Sequence, residues 1–137
     1  MQIIYKLNAD ISVQQFLNLL HTSGLAERRP VDDIETITGM LANSNLILSA
    51  WHDDKLIGIA RCMTDFHYAC YLSDLAVDQY YQKHGIGRQL QTQVKRRLKA
   101  QCKIILVAAP DAQSYYPKRG YAAVDRCWML AAEDDIV

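Results

Sequence analysis

The sequence predicts an α/β protein whose mixed sheet carries helices on both faces. Three observations lead there. Apolar residues recur at helical spacing in separate segments, short alternating or wholly apolar runs lie between them, and turns rich in Gly, Asp or Pro divide the two kinds. In chain order the elements read β-α-α-β-β-β-α-β-α-β-β, an alternation that layers helices over a sheet.

Each element has its own justification. Ile3 to Leu7 is the first strand. Ser12 is placed to cap a helix that turns Val13, Phe16, Leu17, Leu19 and Leu20 inward and stops near Gly24. Arg28-Arg29-Pro30 is a loop, after which Asp32 or Asp33 caps a second helix with Ile34, Ile37, Met40 and Leu41 as its apolar positions. Leu46–Trp51 and Leu56–Met63 are strands joined by the hairpin turn His52-Asp53-Asp54-Lys55. Tyr71–Val77 alternates and closes on a β-branched residue, as a strand does. The next helix runs from Gly85 to about Ala100, with Ile86, Leu90, Val94 and Leu98 on one stripe. Ile104–Ala108 is a continuous apolar run, expected of a strand buried on both faces. It should pair in parallel with 71–77 through a right-handed crossover. Ala112–Lys118 predicts a short helix ended by Gly120, and Ala122–Val124 with Trp128–Ala132 predict closing strands.

Composition bounds the function. At 137 residues, 1–137 is expected to be one domain that buries roughly two-thirds of its unfolded surface. Lys+Arg and Asp+Glu balance at 15 each, so no global field favours nucleic acid or an anionic membrane. The run Lys95-Arg96-Arg97, with Lys99 and Lys103, lies where cations stabilise a helix C-terminus, and no aromatic residues interleave with it for stacking on single strands. No apolar run approaches the roughly 18 residues of a membrane span, and the N-terminus shows no signal-peptide pattern. Cys62, Cys70, Cys102 and Cys127 are scattered and the four histidines show no ligand spacing, so buried reduced thiols and no metal are expected. A cytoplasmic protein is the simplest expectation.

The stretch Gln82-Lys83-His84-Gly85-Ile86-Gly87 carries the chemistry. It sits where a loop becomes a helix N-terminus, with free N–H groups and about half a positive charge from the macrodipole. Absent side chains at Gly85 and Gly87 let a diphosphate approach the backbone. A P-loop is excluded because no Gly-Lys-Ser or Gly-Lys-Thr occurs. A dinucleotide fingerprint is excluded because Leu90 stands at its third glycine, and Asp78 to His84 separate the strand from Gly85. An ordinary Gly-rich turn remains the competing reading of the hexapeptide alone.

The element order resembles the GNAT superfamily of acyl-CoA-dependent N-acyltransferases over nearly the whole chain. Gln82 to Gly87 matches that family's Q/R-x-x-G-x-G/A pyrophosphate loop, and Leu75-Ala76-Val77-Asp78 with Tyr80-Tyr81-Gln82 is similar to its run into the loop. Tyr115-Tyr116-Pro117-Lys118-Arg119-Gly120-Tyr121 is similar to its late F/Y-Y-x-x-x-G-F/Y segment. One departure is Ala109, where members often carry an Asn that contacts pantetheine. The resemblance implies a cleft in which two parallel strands splay apart. Backbone groups of Leu75, Ala76 and Val77 would then meet the pantetheine arm of acetyl-CoA, and those from Gln82, Lys83, His84, Gly85, Ile86, Gly87 and Arg88 its diphosphate. His84 would contribute only its backbone.

Acetyl transfer to an amine sets two proton demands. An alkyl ammonium with a pKa near 10 is only about one-thousandth neutral at pH 7, and the leaving thiolate gains from an acid. The resemblance implies that Tyr116 is that acid, beside the thioester sulfur. Asp74, expected on one strand face with Leu72 and Ala76, is the candidate base; otherwise it accepts loop or cap hydrogen bonds. Asp65, before Phe66-His67-Tyr68, is a second acid that can serve as base or hold the ammonium, and water is the third choice. His67 is a solvated turn residue. No Cys lies in either motif, which disfavours a covalent acyl-enzyme. The acceptor is expected to be a small-molecule or peptide amine, and the resemblance implies a homodimer, because in that family the last strands often meet those of a second subunit. A non-catalytic acyl-CoA-binding module is the rival reading; a nucleotide-binding regulator lacks the Lys-Ser/Thr pair.

Overall fold

A computed structural model describes residues 2–137, which fall into two compact units, 2–107 and Ala108–Val137. The first contains β1 (Ile4–Leu7), α1 (Val13–Ser23), α2 (Ile34–Ala42), β2 (Leu46–His52), β3 (Lys55–Thr64), β4 (Ala69–Val77), α3 (Ile86–Arg97) and β5 (Lys103–Ile105). The strands follow sequence order across one sheet. All neighbours are antiparallel except β4 and β5, which run parallel through α3.

Local chemistry accounts for the helix ends. Ser12 and Gln15 form a reciprocal capping box, with Ser12 Oγ accepting the Gln15 N–H at 3.0 Å and Gln15 Oε1 the Ser12 N–H at 2.9 Å. Asp33 Oδ1 caps α2 by accepting the Thr36 N–H at 3.1 Å. The two-residue turn Asp53-Asp54 joins β2 to β3, with Asp53 left-handed at φ 53°.

The sheet separates two apolar layers. On one face Ile86, Leu90 and Val94 of α3 pack with Leu48, Ile57, Ala60 and Leu72. On the other, Phe16, Leu19 and Leu20 of α1 and Ile37 of α2 pack with Ile47, Trp51, Ile59 and Ala76. Gly58 lets α3 lie close to β3, since a Cβ there would stand 3.2 Å from both Ile86 Cγ2 and Leu90 Cδ1. Ile34, expected to face the core, is instead exposed at the first turn of α2.

A bulge decides the face of β4. Arg61 pairs with Asp74 and Cys62 with Leu72, so Ser73 is an extra residue. Leu72 therefore packs on the α3 side, whereas Ala76 packs on the α1/α2 side with Asp74 beside it in the ladder. Strict alternation across 72–76 fails at Ser73. Strand β5 is also shorter than its apolar run predicts, ending at Ile105, and Ile105 and Val107 are exposed. It is an edge strand, not one covered on both faces.

In the second unit, the expected helix over 112–118 is replaced by 3₁₀ turns at Pro110–Ala112 and Pro117–Arg119. Pro117 has no N–H to give to a carbonyl one turn back, so a helix through it would lack that bond, although Tyr116 before it keeps helical angles. Gly120 ends the segment in the left-handed region, φ 98°, as predicted. Among the described residues, 122–124 and 128–132 form no strand, having no ladder partner within the unit. Cys62, Cys70 and Cys102 are buried free thiols, whereas Cys127 is exposed, against the expectation for all four.

Candidate active site

Strands β4 and β5 diverge almost at once. They pair only at Ala69–Lys103, Cys70–Ile104 and Tyr71–Ile105. The rest of β4 therefore has no strand beside it on that side. The N–H of Asp78 donates to Ile57 O at 2.8 Å, so by alternation the backbone of Ala76 faces β3 and those of Leu75 and Val77 face the gap. The side chains of Leu75 and Val77 pack into the α3 layer. Their backbone thus faces the gap, where Val77 O already accepts from Gln82 Nε2. Ala76, predicted with them, turns its backbone toward β3.

The loop after β4 is held to the strand end at both sides. Gln82 Nε2 donates to Val77 O at 3.0 Å, and Asp78 Oδ1 accepts the Tyr80 N–H at 2.9 Å. Lys83 (φ 68°) and Gly85 (φ 77°) are both left-handed, which sweeps the chain around before α3 begins. Gly85 is the N-cap residue, and a Cβ built on it meets nothing within 4 Å. The first helical bond runs from the Gln89 N–H to Gly85 O at 2.9 Å. Among the described residues, the N–H groups from Lys83 to Arg88 consequently have no protein acceptor. Six donors at the positive end of a helix dipole suit a diphosphate. The His84 ring folds back on Tyr81 O, 3.2 Å away, leaving its backbone for the loop.

Asp74 occupies a different setting. Its side chain is fully buried, with Oδ1 2.6 Å from Arg29 Nε and Oδ2 2.6 Å from Arg61 Nε. Arg29 also donates to Ser73 O and Arg28 O, and Arg61 to Met40 O, Ser44 Oγ and Ser73 Oγ. Both carboxylate oxygens are committed to guanidinium groups, so the expected role of proton acceptor does not fit this placement. Asp74 positions the two arginines. Sequence reasoning missed both partners, although a lone Arg inside the otherwise apolar strand 56–63 signals a buried cation that needs one.

Asp65 is likewise occupied. Its Oδ1 accepts the N–H groups of Tyr68, His67 and Ala69 at 2.8, 3.0 and 3.0 Å, closing the β3–β4 turn, where Phe66 has φ 67°. These bonds, that from Tyr68 first, hold its carboxyl below the ordinary range. It is a turn-holding acid and a poor base. The buried Cys62 thiol is pushed up, chiefly by its hydrogen bond with Cys70 and then by burial, which suits packing and not nucleophilic attack.

Tyr116 belongs to the second unit. Its ring meets Tyr115 and Tyr121 edge-on, with centroids 5.1 and 5.3 Å apart. Its carbonyl accepts the N–H groups of Arg119 and Tyr121. The Tyr-rich motif is thus a small aromatic cluster anchored by the Gly120 turn.

Comparisons with known proteins agree with this architecture. The acetyltransferase (GNAT) domain matches residues 21–127. An uncharacterized ycf52-like N-acetyltransferase of Prochlorococcus marinus is 36% identical over 100 residues, 69% of this chain and 54% of that protein, so the chain spans about half the relative's length. A GNAT-family acetyltransferase from Streptococcus pneumoniae superposes with a TM-score of 0.79 at 21% identity, over 98% of this chain and 100% of the other. An aminoglycoside N-acetyltransferase solved with CoA gives 0.71 at 15% identity, over 97% and 96%. At such identities the structural likeness speaks for the fold alone. The family match over most of the chain carries the assignment: the protein belongs to the GNAT acetyltransferase family.

Proposed function

We propose that the protein transfers an acetyl group from acetyl-CoA to a primary amine by direct attack. The observation that carries this reading is the run of unpartnered N–H groups from Lys83 to Arg88 beside the open backbone edge of β4. Acetyl-CoA supplies the activated thioester. The loop N–H groups hold its diphosphate, and the backbone of Leu75 with the N–H of Val77 completes a short ladder with the pantetheine amides.

Two proton transfers complete the reading. The Tyr116 hydroxyl, a proton donor at pH 7, protonates the departing thiolate. With Asp74 and Asp65 both committed to other donors, the ammonium loses its proton to water. The acceptor is a small-molecule or peptide amine. Trp128, Met129 and Leu130 are 91%, 74% and 57% exposed, which supports a homodimer closed by this segment.

The test is CoA release from acetyl-CoA against an amine panel. Release with at least one amine, reduced roughly 10²-fold in kcat by Tyr116→Phe with acetyl-CoA affinity kept, is the expected result. Binding of acetyl-CoA without release to any amine would instead establish the non-catalytic acyl-CoA-binding module.

A further inference from the structure

The arginine–aspartate cluster does not balance. Arg29 and Arg61 bring two positive charges and Asp74 one negative. Among the described residues the remaining ion pairs, His52–Asp53 and Lys55–Asp78, involve neither arginine. Asp33, at the start of α2, is turned into the helix cap, with Oδ2 accepting from Thr36 Oγ1 at 2.7 Å, and neither Asp32 nor Glu35 of the same segment forms an ion pair with either arginine. The neighbouring Arg28 adds a cation, not an anion. A partly buried excess of one positive charge is costly unless something pairs with it.

The excess faces a hollow open to solvent. A hollow of about 510 Å³ lies between the 29–30 loop, α2, β3 and β4, with Arg29, Arg61, Ser73, Thr36 and Asn43 among its walls and no acidic side chain. This is the volume of a site for a small ligand. Arg61 is spent: its side chain is 4% exposed and donates to Asp74, Met40 O, Ser44 and Ser73. Arg29 is not. Its side chain is 22% exposed, and Nη1 and Nη2 each make one hydrogen bond, to Arg28 O and Ser73 O. A guanidinium has five N–H groups, so one on each Nη remains for a ligand. Asp74 locks Nε and thereby fixes the plane of that fork.

We propose that the acceptor carries a carboxylate as well as an amine, and that this carboxylate pairs with Arg29 in the cavity between α2, β3 and β4. The proposal rests on the acetyltransferase reading and names the acceptor class for it. A fixed guanidinium fork matches a carboxylate in two-point geometry, and the surrounding positive excess strengthens that pairing. The same excess repels an acceptor with a second cationic group. It also disfavours the ammonium form of a nearby amine, which raises the fraction able to attack. Free amino acids and peptide C-termini share this chemistry.

The test is a calorimetric comparison of matched acceptors, made in the presence of saturating CoA. β-Alanine, 4-aminobutyrate and 6-aminohexanoate are each titrated against the corresponding carboxamide, and diglycine and triglycine against their C-terminal amides. At least one acid should bind tenfold or more tighter than its amide, and the amino-acid and peptide arms distinguish the two sources. Arg29→Gln should abolish the preference, and Arg29→Lys should retain part of it. A preference below tenfold in every pair, no binding of any acid, or an undiminished preference in folded Arg29→Gln would overturn the proposal. CoA release measured on the same acceptors separates the two claims. A carboxylate preference without release counts against acetyl transfer alone, and release without preference counts against the carboxylate alone.

Discussion

Strand β4 contrasts two ways of treating polar groups within a few residues. At Leu75 and Val77 the backbone faces a gap left by the early departure of β5, and just beyond it the loop from Lys83 to Arg88 presents N–H groups with no protein acceptor. At Asp74 both carboxylate oxygens are filled by guanidinium groups, and the side chain is sealed from solvent. Open donors imply a ligand that arrives to fill them. A filled carboxylate implies a framework that shapes what is next to it. The proposed cofactor contacts belong to the first region, and the positioning of Arg29 to the second.

The largest expected effect comes from opening the filled region. Asp74→Asn leaves two buried guanidinium groups facing a neutral amide, and breaking such a pair costs about 3–5 kcal/mol, a large part of a typical domain's stability. Urea midpoints should fall accordingly. In the folded variant, the pH profile of kcat/KM for the amine should keep its wild-type shape. A rate loss confined to low pH, with stability unchanged, would restore Asp74 as the base and erase the contrast.

A smaller effect concerns Asp65, a filled carboxylate at an exposed turn. Its native pKa is depressed below the ordinary aspartate value of about 3.9, first by the Tyr68 N–H. Its stabilisation is therefore complete above that value and is lost as pH falls through the native pKa. Thermal midpoints of wild type and Asp65→Asn should differ above about pH 4 and converge below it. A constant gap down to pH 2 would mean that the turn does not depend on the ionised acid.

The two regions also differed in how far they could be read from sequence. The loop was legible because its signals are local: a left-handed Gly85, a helical stripe at Ile86, Leu90 and Val94, and a strand ending at Val77. The Asp74 cluster was not. Arg29 lies 45 residues away in a loop, and the bulge at Ser73 separates the faces of Leu72 and Ala76 that strict alternation had joined. Long-range ion pairing leaves no periodic trace. The short β5 and the absent closing strands share one cause, since apolar runs predict strands but pairing partners decide their length. Pro117, visible in the sequence, removes one helical bond from the segment where a helix was predicted and opens a 3₁₀ turn instead.

The open loop is the centre of the account, and calorimetric titration of acetyl-CoA into wild type and Gly85→Val tests it most directly. A β-branched residue at φ 77° strains the N-cap from which the loop donors are presented, even though a Cβ there would meet no other atom within 4 Å. Wild type should bind, and affinity should be at least tenfold weaker in the folded variant, a loss of about 1.4 kcal/mol or more. Equal affinity in the two proteins, with the variant folded, would contradict it.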